Sequence, residues 1–253
     1  MTAAGGATVA VDVRGPVACI VLQGPRGAPT LDLRTQQALA DACAAVESDE
    51  QVKAVVLGAR GRRFCDGLPA GVRWPPAAWP DAVEALWGVS KPVVAALSGD
   101  VVGWGIGLAL ACDVRVAAAD AAFRVPAPSD GGFPGGGLTQ RLPRLIGPAR
   151  AAHLLMLGGR VPARQAASWG LVDRVVPRAR VRAGALALAR QMARQAPIAM
   201  RYAKEAVRRA LDLPLDDGMR LEHDLYVLLQ TTADREEGVR AFLERRRPAF
   251  HGR

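Results

Sequence analysis

The sequence predicts an α/β fold followed by a helical C-terminal region. Three observations carry this. Short apolar runs rich in β-branched residues (Val52–Leu57, Pro92–Leu97 and Val114–Ala118) read as strands covered on both faces. Segments with helical spacing of apolar residues, such as Leu33–Val46 and Trp104–Ala111, lie between them. From Leu138 onward the helical pattern dominates, and only Leu171–Val176 interrupts it as a strand.

In chain order, Ala7–Val13 and Val17–Leu22 form a hairpin split by Arg14-Gly15-Pro16. The helix over Leu33–Val46 leads into the first buried strand. Trp104–Ala111 is a helix entered through glycines. The last helices cover Val181–Gln195, Pro197–Leu211, Leu215–Gln230 and Asp234–Arg245. Pro197 suits a first helical turn, where its missing N–H leaves no bond unmade. No period of repeat length and no low-complexity linker appears by eye. The organisation expected is a core over residues 1–195 and a helical region over 196–253.

Composition narrows the function classes. The chain has 253 residues, half of them apolar and 23% charged, a globular balance. Its longest central apolar stretch, Val101–Cys112, is too short for a membrane-spanning helix, which needs about 20 residues. Met1–Thr8 lacks the basic start and apolar core of a secretory signal, so a cytoplasmic location is expected. Cys19, Cys43, Cys65 and Cys112 form no CxxC pair, and only three histidines are present. No metal site is expected. The net charge of +9 is concentrated late: residues 141–253 hold 22 basic and 11 acidic side chains. That half could meet an anionic ligand, but its arginines are interleaved with acids along helices. No nucleic-acid recognition motif or lysine-rich arm accompanies them.

Chemistry points to two glycine-bearing turns that follow buried strands. One is Phe64-Cys65-Asp66-Gly67-Leu68-Pro69, and the other runs from Gly99 to Gly107. The second passes from strand to turn to helix. The first N–H groups of such a helix lack intrahelical partners and suit an anion or a developing oxyanion. Its GxGxG spacing differs from the GxGxxG of dinucleotide folds. A third glycine turn, Gly131–Gly137, has no following Lys-Ser/Thr and is not a phosphate-binding loop.

These segments together resemble the crotonase superfamily, the enoyl-CoA hydratase/isomerase family. Phe64-Cys65-Asp66-Gly67 resembles its first oxyanion turn, Lys91–Gly99 its central strand and Trp104–Asp113 the helix after it. Pro134–Leu142 is similar to its glycine turn and helix, and Asp234–Phe242 with Pro248-Ala249-Phe250 to its closing helix. The resemblance implies a crotonase-like spiral of ββα turns with C-terminal helices that build a trimer or hexamer. It implies an acyl-coenzyme A thioester as ligand, so coenzyme A enters as part of the substrate and no cofactor stays bound. It places the two carbonyl-polarising N–H groups on Leu68 and Trp104. It places coenzyme A recognition at Arg26, Ala28, Tyr226 and Arg245.

Hydratases of the family hold the attacking water between two glutamates. Carried over without a gap, those positions are Gly107 and Ala127, and neither side chain moves a proton. The isomerases' carboxylate also falls on Ala127, and the Asp or Tyr of other members falls on Pro134 or Gly135. Ordinary hydration is therefore not expected. Restoring both carboxylates by Gly107→Glu with Ala127→Glu would require Trp104 to leave room for water.

Asp66, beside the first turn, and Asp130, three residues past Ala127, are the remaining candidates for a proton carrier. Each also reads as a solvated loop carboxylate. Asp100 suits local backbone bonds, His153 and His223 lie in distant helical segments, and Cys65 has no pairing base. Trp74, Trp79 and Trp87 crowd one stretch, and Trp104 stands where the family has glycine. Their rings could narrow the acyl tunnel, stack on an aromatic acyl group, or pack a core or trimer contact. Two functions follow: an acyl-CoA enzyme working through an enolate, or a non-catalytic acyl-CoA carrier or sensor.

Overall fold

Over the middle of the chain, successive strands alternate between two sheets, and this alternation positions everything else. The structure is a computed structural model describing residues 8–126 and 133–253. Strands β1 (Thr8–Arg14), β2 (Val17–Gln23), β3 (Ala54–Arg60), β5 (Val93–Leu97), β7 (Val114–Ala118) and β10 (Arg174–Val176) form one sheet in that spatial order. Pairing is parallel from β2 to β10, and β1 closes the edge as the antiparallel arm of the expected hairpin. Strands β4 (Arg63–Cys65), β6 (Asp100–Val102), β8 (Ala122–Val125) and β9 (Gly159–Pro162) form the second sheet.

The chain thus repeats one unit three times. A long strand joins the first sheet, a short one joins the second, and a helix returns. The helices are α2 (Ala82–Gly88), α3 (Trp104–Ala111) and α4 (Leu138–Ile146). This is the ββα spiral that the resemblance implied. Helix α1 (Leu33–Ser48) starts at Asp32, whose carboxylate accepts from the Thr35 N–H at 2.7 Å. That bond satisfies one of the helix's free N-terminal donors. Phe64, Phe123, Ile106 and Leu97 lie between the sheets and helices, fully buried. Every residue of α3 is buried, as expected of a helix apolar on all faces.

Four helices, α5 (Pro148–Leu157), α6 (Ala163–Ser168), α7 (Val181–Met192) and α8 (Pro197–Arg209), follow the spiral. Helix α8 is fastened by charge. Asp113, between α3 and β7, accepts from Lys204 Nζ at 2.7 Å, Arg208 Nη2 at 3.1 Å and the Val93 N–H at 2.7 Å. Lys204 also donates to the Lys91 carbonyl at 2.6 Å. Burial pushes the Lys204 ammonium below its ordinary pKa, and Asp113 opposes that shift.

Helices α9 (Leu215–Gln230) and α10 (Ala233–Leu243) end the fold. The tail turns back on α10, where Asp234 accepts from the N–H groups of His251 and Gly252 at 2.7 Å each. Leu225 is buried within the chain, whereas Leu215, Tyr226, Leu228, Phe242 and Leu243 are exposed. No helix among the described residues is long and apolar enough to cross a membrane.

Candidate active site

Two turns meet at the C-terminal ends of β4 and β6. In the first, Gly67 has φ +79°, and a Cβ there would sit 2.9 Å from the Val102 carbonyl oxygen and 3.3 Å from the Trp104 nitrogen. Only glycine lets the first turn approach the second this closely. The approach is held from behind: the Asp66 N–H donates to the Pro29 carbonyl and the Leu31 N–H to the Gly67 carbonyl, both at 2.8 Å. In the second turn Gly103 precedes α3, whose first residue is Trp104. The N–H groups of Leu68 and Trp104 donate to no backbone oxygen among the described residues. Leu68 and Trp104 line the same cavity of about 200 Å³, together with Asp66, Val72, Phe133 and Leu138.

The cavity wall is aromatic. The Trp104 indole is buried and lies against the third glycine turn, where a Cβ on Gly135 would sit 2.5 Å from its Cζ2. Trp74 meets Trp104 edge-on, with ring centroids 5.4 Å apart and planes at 80°. Phe133 lies 6.3 Å from Trp74. The Trp104 Nε1–H is buried with no hydrogen-bond partner among the described residues.

The clustered tryptophans therefore divide. Trp74 packs against the rings of Trp104 and Phe133 from outside the cavity, and Trp79 is half-buried and does not line it. Trp87, on α2, is stacked by the guanidinium groups of Arg208 and Arg141, 3.9 and 4.4 Å from the ring centroid. Arg208 also donates to the Trp87 carbonyl.

Gly107 corrects one expectation. A Cβ there would sit 2.4 Å from the Gly136 carbonyl oxygen and 3.1 Å from its carbonyl carbon. Backbone cannot yield as a flexible side chain can, so a glutamate at 107 requires the glycine turn to move. The obstacle is this turn more directly than the indole of Trp104. Ala127 and Asp130 lie outside the described residues.

Asp66 lines the cavity, and both its carboxylate oxygens accept from Arg63 Nη1, at 2.8 and 3.0 Å. Asp100 accepts from the Ala122 N–H and from Arg124 Nε on the neighbouring β8, so its bonds cross between strands and are not the local backbone bonds expected. Burial pushes the Cys65 thiol up to about 12, so it stays protonated at neutral pH and is a poor nucleophile. Ala28 ends a short helical turn over Pro25–Gly27 and adjoins Pro29, which accepts from Asp66. The structure thus brings Ala28 near the first turn, while the side chain of Arg26 lies outside the description. Tyr226 on α9 and Arg245 after α10 are exposed, and neither lines this cavity.

Sequence reasoning missed the part played by Phe133 and Gly135. Phe133 gave no periodic signal, and the indole–glycine contact joins residues about thirty positions apart.

The enoyl-CoA hydratase/isomerase family model matches residues 12–253. The chain belongs to this family. A (E)-benzylidenesuccinyl-CoA hydratase of Thauera aromatica is 34% identical over 253 aligned residues, covering 96% of this chain and 99% of the relative. A 2,3-dehydroadipyl-CoA hydratase of Escherichia coli is 41% identical over 174 residues, 69% of this chain and 68% of the relative. An enoyl-CoA hydratase structure from Bacillus anthracis superposes with a TM-score of 0.90 at 33% identity, covering 97% of this chain and all of that one. Family membership gives the two converging turns their context.

Proposed function

We propose that this family member binds an acyl-CoA thioester and polarises its carbonyl with the N–H groups of Leu68 and Trp104. The supporting observation is that both residues line one cavity and neither amide has a backbone acceptor among the described residues. Two fixed donors favour the negative charge that grows on the oxygen as an enolate forms. Removing one such donor typically costs about 2.7–4 kcal/mol of barrier. Asp66 is the one carboxylate lining the cavity among the described residues and is the proposed proton carrier, with Asp130 as the second candidate. Arg63 engages both oxygens of Asp66, so this carboxylate would act as a base only by exchanging that partner.

Ordinary enoyl-CoA hydration does not fit this arrangement. In the ungapped alignment, the two water-holding glutamates are Gly107 and Ala127, and the space beside Gly107 is filled by backbone. That observation also favours a second reading, an acyl-CoA carrier or sensor without turnover. Screening acyl-CoAs separately for binding and for turnover divides the two: binding alone supports the carrier.

Recognition of coenzyme A is proposed to use Arg26, Ala28, Tyr226 and Arg245, in a cytoplasmic trimer or hexamer. The exposed apolar residues of α9 and α10 supply surface for self-association. A hydrogen bond to a charged group contributes about 1.5–3 kcal/mol, so Arg245→Ala is expected to weaken coenzyme A binding about tenfold or more. Calorimetric titration of the folded variant checks this. Unchanged affinity would remove Arg245 from the proposed site.

A further inference from the structure

We propose that Trp104 and Phe133, buttressed by Trp74, form an aryl subsite that selects a short acyl group carrying a planar ring on its β-carbon. This rests on the acyl-CoA reading above and adds the class of acyl group. Trp104 supplies both a proposed carbonyl donor and, from the same Cα, the indole wall. The atoms just beyond a thioester carbonyl held at that amide therefore meet the indole at once. Phe133 lines the same cavity and is 66% exposed, so much of its ring has no protein cover.

The rings are held in defined geometry. Trp74 stands edge-on to Trp104 and tilted by 52° to Phe133, which ties the two walls together. The glycine at 135 allows the backbone to pass within contact of both indoles, since a Cβ there would sit 2.5 Å from Trp104 and 2.7 Å from Trp74. Ring edges and faces fixed in this way favour another aromatic ring over an alkyl group of equal size. The preference comes from ring quadrupoles as well as area. The cavity, at about 200 Å³, also favours a compact acyl group over a long chain.

The test compares three CoA thioesters of equal acyl carbon count by calorimetry on the full chain. They are cinnamoyl-CoA, its cyclohexyl counterpart 3-cyclohexylacryloyl-CoA, and the straight-chain 2-enoyl-CoA. Cinnamoyl-CoA is expected to bind about 2- to 10-fold tighter than the cyclohexyl thioester, the range of an aromatic pair beyond its buried area. Phe133→Leu and Trp74→Leu should each shrink that ratio toward one. Both side chains are more than half exposed, so these variants are expected to fold. Equal affinities for the three thioesters, or a ratio unmoved by both substitutions, would overturn the aryl subsite and leave the acyl-CoA reading standing. Failure of every thioester to bind would overturn both.

Discussion

Crotonyl-CoA hydration by the unmodified protein is expected at a kcat/KM no higher than ~10² M⁻¹s⁻¹, against ~10⁶ M⁻¹s⁻¹ for an efficient enzyme. The physical reason is that neither position aligned with the hydratases' two glutamates carries a group that moves a proton. Hydration needs one group to orient and deprotonate water and another to protonate the α-carbon. Each contributes about 10²–10⁴-fold, so losing both removes at least about four orders of magnitude. Gly107 and Ala127, the aligned positions, carry no titratable side chain. Gly107→Glu alone is expected to lower stability without raising the rate, because its Cβ would press on the Gly136 carbonyl. Absorbance at the enoyl thioester band measures the rate. A value near ~10⁶ M⁻¹s⁻¹ would contradict the account, and its loss in Asp66→Asn or Asp130→Asn would then name the carboxylate responsible.

Asp113→Ala is expected to cost about 3–5 kcal/mol, the effect of stripping two largely buried cations of the carboxylate they share. Lys204 and Arg208 both point at this carboxylate, and the Lys204 side chain is 8% exposed. The Val93 N–H at the start of β5 loses its acceptor as well. For a chain of this size, Tm should fall by on the order of 10 °C. Asp113→Asn should fall between wild type and Asp113→Ala, since an amide oxygen can still accept from Val93 but carries no charge. Thermal unfolding of both variants checks the order. A loss below about 1 kcal/mol in Asp113→Ala would show that α8 is held by its apolar contacts instead.

The long elements were legible because their residues repeat one environment many times. The uniform burial of β5 and α3 matches their continuous apolar runs, and the predicted bounds of β7, α3 and α9 coincide with those observed. The second sheet was not legible. Strands β4 and β6 have three residues each, too few to show a period, and they exist through pairing with strands distant in sequence. Helix α2 was missed for a similar reason: it has seven residues and begins within a proline-rich stretch, although Asp81 caps it at 2.9 and 3.0 Å.

The site was legible where backbone defines it. Glycines at 67 and 103 mark the two turns, and the donors at Leu68 and Trp104 follow from the family pattern. It was not legible where distant segments meet. Nothing in the sequence shows that Gly136 backbone fills the space beside Gly107, or that Arg63 engages both oxygens of Asp66. The apolar surface of the C-terminal helices was only partly readable, since Leu225 turns inward while Leu228 stays exposed.

The central claim is that the N–H groups of Leu68 and Trp104 polarise the thioester carbonyl. Isotope-edited infrared difference spectroscopy tests it most directly. A CoA thioester labelled with ¹³C at the carbonyl is bound to the protein, and its C=O stretch is compared with that in water. Two donors in a water-poor cavity should weaken the C=O bond beyond what water does, so the band should move to lower frequency. A bound thioester whose band stays at, or rises above, its position in water would contradict the account.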